Sequence, residues 1–172
     1  MNDLIPLYKQ MAADGQNFRG LSILQHRKLI AQLCRDYKVV SLCDYGCGAG
    51  DAWRSPHRLH RELGLRWFNV WLYDPAFPQF EEGPSGLYTG VLCSDVLEHI
   101  PEPELDETIT TLFRHARAFV WASICSRPAK KCFPDGVTNL HVTQRPMAWW
   151  QERFERLAPD DRHVDFHLSE TP

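Results

Sequence analysis

The chain has 172 residues, is 44% hydrophobic and 24% charged, carries a formal net charge of −3 and contains six cysteines. That length suits one domain with a real core, the composition is that of an ordinary soluble globular protein, and no apolar run approaches the roughly 20 residues of a membrane span. The charge gives no whole-protein attraction for nucleic acid, although a local basic patch is compatible with it. The start, MNDLIPLYKQ, lacks the basic beginning and long apolar stretch of a signal peptide, so a cytoplasmic protein is expected. The cysteines (Cys34, Cys43, Cys47, Cys93, Cys125, Cys132) include no C-x-x-C pair, and several fall in apolar runs. Small buried residues in a reducing compartment are expected rather than a disulfide framework or a zinc site.

From Leu21 to Tyr37, apolar residues at Ile23, Ile30, Leu33, Cys34 and Tyr37 predict a helix, with Ser22 and Gln25 as a capping box. KVVSLCDYG, RWFNVWLYDP and GLYTGVLCSDV are three short apolar runs that each end at an acid, as buried strands meeting their loops do. Leu105, Ile109, Leu112, Phe113 and Ala116 mark a helix started by PEPE, and RAFVWASIC reads as a fourth strand. Met147, Trp150, Phe154 and Leu157 mark a further helix, with Thr143 as its cap and Trp149 off the apolar stripe. The tail DRHVDFHLSE alternates weakly and reads as a last strand. Strands alternating with helices imply an α/β fold with a doubly wound, mostly parallel sheet, spanning residues 1–172 as one domain.

Three of the ten glycines, Gly46, Gly48 and Gly50, fall within five residues just after the first strand and Asp44. In a doubly wound sheet, ligands sit beyond the carboxyl ends of the strands, where the order switches. Glycines there allow φ > 0 and a close approach of a ligand to the main chain; a plain tight turn is the other reading. Asp74, at the end of the second strand, stands where a ribose-binding carboxylate is expected.

DYGCGAG resembles motif I (D-x-G-x-G-x-G) of class I S-adenosylmethionine-dependent methyltransferases. LYDPAF looks like their second motif, and LCSDVLEHIPEPEL is similar to the fourth-strand segment of many small-molecule members. FPDGVTNLHVTQRPMAWW resembles the region after the fifth strand in a subset of them, and the motifs occur in the right order from about Lys38 to Ala158. The resemblance implies S-adenosylmethionine as cofactor, residues 38–172 as its binding core, and residues 1–37 as a lid and helix segment, with NFRGLS similar to the lid of many members. It assigns Asp44 to the cofactor's methionine end, with Gly46, Cys47, Gly48 and Gly50 along its backbone approach. Asp74 with Pro75 is assigned to the ribose, Phe77 to the adenine, and Cys93, Ser94 and Asp95 to the segment beside the cofactor. G-x-G-x-G differs from the nicotinamide fingerprint, and no Gly-Lys-Ser/Thr follows to make a P-loop.

Two departures stand out. Pro56 falls where the family has the middle of its first crossover helix, so a short or displaced helix is expected, with Trp53 turned towards the cofactor or its neighbours. The interval between Asp74 and the next strand leaves little room for a third β/α unit, and with the short C-terminus an incomplete final hairpin is expected.

For methyl transfer, His99 and His141 are the catalytic residues expected, each balanced against a purely structural role; Asn139 shares the loop of His141. Glu98, His99 and His141 as metal ligands form a runner-up, and no metal is expected. The function expected is methyl transfer to a small-molecule acceptor. Two alternatives are a non-catalytic cofactor-binding or regulatory subunit, and an RNA or other nucleic-acid methyltransferase. The basic cluster Arg54, His57, Arg58, His60 and Arg61 motivates the last.

Overall fold

The computed structural model describes residues 4–171. Met1 to Asp3 and Pro172, the ends of the expected domain, lie outside the described residues. Five strands form one all-parallel sheet: β1 (Leu42–Tyr45), β2 (Val70–Tyr73), β3 (Tyr88–Ser94), β4 (Ala116–Ile124) and β5 (Asp165–Glu170). Their order is β2-β1-β3-β4-β5. The chain runs outward from β1 to β2, then crosses back to lay β3 on the other side of β1. The switch point therefore lies between β1 and β3.

Alternate side chains of each strand enter two apolar layers. On one face, Leu42, Leu72, Leu92, Phe119 and Trp121 pack with Ile30, Leu33 and Cys34 of α2 (Arg27–Asp36) and Leu59 of α3 (Leu59–Glu62). On the other, Cys43, Val91, Cys93, Val120 and Ala122 pack under α4 (Leu105–His115) and α5 (Met147–Leu157). Helix α4 forms because Leu105, Ile109, Leu112 and Phe113 make one apolar stripe, with Asp106 and Glu107 in its first turn and Arg114 and His115 in its last. The fold is thus Rossmann-like α/β, as the sequence predicts.

The expected departures take definite form. After Gly50 there is only a turn of 3-10 helix, Asp51–Trp53, followed by the four-residue α3. Between β2 and β3 the chain makes another such turn, Pro78–Phe80, and no strand or α-helix. The third β/α unit is absent from this part of the chain, which leaves β2 at the sheet edge.

Two expected caps are not caps. Residues 22–26 form a 3-10 segment ahead of α2, no side chain caps either start, and Ser22 Oγ lies 3.3 Å from Ser94 Oγ. Thr143 is buried, donates Oγ1–H to the Ile100 carbonyl at 2.7 Å, and α5 starts after Pro146. A hydroxyl can serve a nearby N–H or a distant partner, and here tertiary contacts supply the distant one. Trp149 stays with the core, packed against the second layer and under the Arg153 guanidinium, 4.7 Å from its ring centroid.

A third apolar cluster lies beyond the carboxyl edge of the sheet. Tyr8 and Ala12 of α1 (Ile5–Ala12) meet Ala76 and Phe77 after β2, and Phe133 and Leu140 after β4. This cluster roofs the switch point with the N-terminal segment. All six cysteines are free thiols. Among the described residues, no helix is long and apolar enough to cross a membrane.

Candidate functional site

A cavity of about 1330 Å³ opens at the switch point. Gly46 and Gly48 line it from the loop after β1, and Asp74, Pro75 and Phe77 from the loop after β2. Ser94 and Asp95 reach it from the end of β3, and His99 and His141 from two further loops. Nine of the residues singled out from sequence therefore share one wall, because parallel strands deliver all their carboxyl ends to the same edge.

Asp74 is fixed by two main-chain donors: Gly48 N–H to Oδ2 at 2.8 Å and Ala76 N–H to Oδ1 at 2.9 Å. Burial pushes its carboxyl above the usual range, and these two bonds oppose the shift. Each oxygen keeps a lone pair for a further donor. The acid at the end of β2 therefore also props the glycine loop after β1.

Four of the expected cofactor residues do not line the cavity. Asp44 is 3% exposed and accepts the indole N–H of the fully buried Trp53 at 2.6 Å. Burial, aided by the negative charge of Asp74, pushes its pKa up to about 7, against the pull of that bond. Cys47 is buried in the first apolar layer and Cys93 in the second. The bare face of Gly50 points at the Phe80 ring and Leu72.

What lies against the glycines is the protein's own chain. Gly46, Gly48 and Gly50 all have positive φ, of 86°, 57° and 73°. A Cβ on Gly48 would overlap the Phe18 carbonyl oxygen, and one on Gly46 would overlap the Val96 side chain. The segment NFRGLS rests on the glycine loop: Ala49 N–H bonds the Phe18 carbonyl at 2.8 Å, and Arg19 Nε meets Asp51 Oδ2 at 2.7 Å.

At the end of β3, Asp95 takes a left-handed conformation, φ 53°. Its N–H bonds the Ser123 carbonyl at 2.9 Å, and its Oδ1 accepts from Ser123 Oγ at 3.1 Å and from Thr171 Oγ1. Ser94 Oγ lies 2.9 Å from Ser123 Oγ, so a chain of hydroxyls runs from Ser22 to Asp95 along the cavity floor. Strain held at a strand end by such a network is a mark of functional sites.

His99 and His141 come together, with ring centroids 4.8 Å apart at 88°. Nδ1 of His99 lies 3.0 Å from the Leu140 carbonyl and 3.3 Å from Tyr8 Oη. Burial, and then the neighbouring His141, depress its pKa to about 4. Nδ1 of His141 lies 2.6 Å from the Arg127 carbonyl. Asn139 serves the loop itself, joining Ala129 through both amide atoms and receiving the His141 N–H. Glu98, His99 and His141 offer ligand atoms within 4.8 Å of one another.

Tyr8, Phe18 and Val96 escaped the sequence reading as site residues. Pro6 at the start of IPLYKQMA signals the helix that carries Tyr8, but nothing local tells that its hydroxyl meets His99.

A doubly wound parallel sheet with a glycine loop, two strand-end acids and a cavity at its switch point defines a Rossmann-like α/β domain. Residues 13–171 match the family model described as a methyltransferase domain, and the chain belongs to that family. No curated protein and no solved structure matches it.

Proposed function

We propose that the chain is an S-adenosylmethionine-dependent methyltransferase acting on a small-molecule acceptor. The observation that carries this reading is Asp74: a carboxylate at the end of β2, braced by Gly48 and Ala76, on the wall of the switch-point cavity. Its free lone pairs suit the two ribose hydroxyls, with charge-assisted bonds. Gly46, Gly48, Phe77, Ser94 and Asp95 share that wall: the main chain of the two glycines would flank the methionine end, Phe77 would offer its ring to the adenine, and Ser94 and Asp95 would border the reacting centre. S-adenosylmethionine, when bound, supplies an electrophilic methyl group on a sulfonium. The protein's share of the chemistry is alignment.

Cavity size supports a second ligand. About 1330 Å³ exceeds the roughly 300–1,000 Å³ of a pocket for one drug-sized molecule. His99 and His141 form the part of the wall suited to the acceptor. His99, neutral and only weakly basic, orients the acceptor rather than taking its proton.

Calorimetric titration with S-adenosylmethionine, followed by transfer of labelled methyl across a metabolite panel, tests the reading. Saturable binding with turnover of at least one acceptor is expected; no binding overturns it. Binding without turnover would favour a non-catalytic cofactor-binding subunit, a reading motivated by the absent third β/α unit. The exposed Arg54, His57, Arg58 and Arg61 motivate the nucleic-acid reading, which requires RNA or DNA binding that weakens steeply with salt.

A further inference from the structure

Glu98 is fully buried, and only one of its carboxylate oxygens is used. Oε1 accepts the Cys125 amide N–H at 2.9 Å, whereas Oε2 is buried with no hydrogen-bond partner among the described residues. A buried carboxylate oxygen without a partner is costly and calls for a donor or a cation. One ring nitrogen each of His99 and His141 lies with a Glu98 oxygen in a set no wider than 4.8 Å.

The two imidazoles are held alike. Nδ1 of His99 faces the Leu140 carbonyl, and Nδ1 of His141 faces the Arg127 carbonyl. A carbonyl oxygen can only accept, so the ring proton sits on Nδ1 in both and each Nε2 keeps its lone pair. Metal-binding histidines are oriented in this way, with the other ring N–H fixed by a backbone carbonyl or a carboxylate. Thr143, two residues beyond His141, donates its amide N–H to the Glu98 carbonyl at 3.0 Å, which ties both loops into one frame. Edge-to-face packing of the two rings accounts for the imidazoles alone and leaves Oε2 unexplained.

We propose that Glu98, His99 and His141 bind one divalent first-row transition metal ion, for which Zn²⁺ is the reference. Two imidazoles and one carboxylate are a ligand set such ions accept while keeping a position open. At bond lengths of 2.0–2.2 Å, ligand atoms on a tetrahedral ion stand about 3.3 Å apart, so the set closes by about 1.5 Å on binding. His141 lies in the loop between β4 and α5, and the movement required of it is a small shift of a ring held by the Arg127 carbonyl. His99 and His141 line the cavity, so the open position faces it. Under the methyl-transfer reading that position takes an acceptor oxygen; metal binding itself rests on no part of that reading.

The test uses the full chain stripped with a chelator and then given metal alone, with no cofactor or acceptor. Calorimetry with Zn²⁺ is expected to show one equivalent bound per chain, and Co²⁺ to give the visible absorption of a four- or five-coordinate site. Glu98→Gln and His141→Ala are each expected to weaken binding at least tenfold, while His163→Ala, on an exposed histidine outside the set, leaves it unchanged. Absence of saturable binding overturns the proposal, as does binding that survives in folded His141→Ala or is lost in His163→Ala. Should Glu98→Gln fail to fold by circular dichroism, His141→Ala on the cavity wall decides the matter. Failure of cofactor binding in a separate titration would leave this result untouched.

Discussion

Trp53 donates its indole N–H to Oδ2 of Asp44 at 2.6 Å, and both side chains are sealed beneath the glycine loop. The first acid of the glycine motif is thus held by an aromatic residue from the shortened crossover, away from the cavity wall. Because burial raises the folded-state pKa of Asp44 from 3.8 to about 7, its neutral form is the stabilising one. The stability it contributes is full below its unfolded value and is lost as pH rises through about 7. Thermal unfolding followed between about pH 5 and pH 8 should show a loss on the order of 1–4 kcal/mol from this group. Asp44→Asn keeps an acceptor for Trp53 and should flatten that slope; an unchanged slope would refute the assignment.

Gly48→Val should fail through the fold before it fails through the cofactor. A β-branched residue resists φ near 57°, and its Cβ would overlap the Phe18 carbonyl oxygen, so the segment Phe18–Gly20 must shift. Backbone strain alone costs on the order of 1–3 kcal/mol, and the lost contacts with Phe18 and Gly20 add to it. Denaturant melts measure the effect. A variant as stable as the parent would mean that the segment around Phe18 does not rest on this loop.

Asp74→Ala should weaken S-adenosylmethionine by a few kcal/mol, since two charge-assisted bonds of about 1.5–3 kcal/mol each disappear. The same change strips Gly48 N–H and Ala76 N–H of their acceptor, so the ligand-free protein should also melt lower. Calorimetry reads the first effect and thermal unfolding the second. Unchanged affinity in a folded variant would remove Asp74 from the ribose site.

Tyr8 Oη bonds the carbonyls of His99 and Leu140, each at 3.2 Å, and so fastens α1 to the two loops that carry the histidines. Tyr8→Phe keeps the ring in its apolar cluster and removes only the hydroxyl. A loss of about 1 kcal/mol is expected, together with faster amide exchange in residues 5–12. Protection equal to the parent's would show that the roof is held by apolar packing alone.

The five strands, the helices α2, α4 and α5, the parallel sheet, the glycine loop and the acids at the ends of β1, β2 and β3 could all be read along the chain, whereas α1 was not. Each depends on local signals: a period of two or of 3.6, a glycine where φ turns positive, an acid where an apolar run stops. The position of Pro56 and the short stretch after Asp74 likewise announced a reduced crossover and a reduced third unit. Only the tertiary structure decided which side chains face the cavity. Asp44, Cys47, Gly50 and Cys93 belong to the motifs yet turn inward, while Tyr8 arrives from a segment with no motif and Phe18 from a segment whose sequence did not single it out. Ser22 and Thr143 have sequence neighbours suited to capping, but their hydroxyls found partners on distant strands and loops. The meeting of Glu98 and His99 with His141 depends on how the loop after β4 folds back over the end of β3. Sequence periodicity reports what a residue does within its own element; long-range packing determines the partner that its side chain meets.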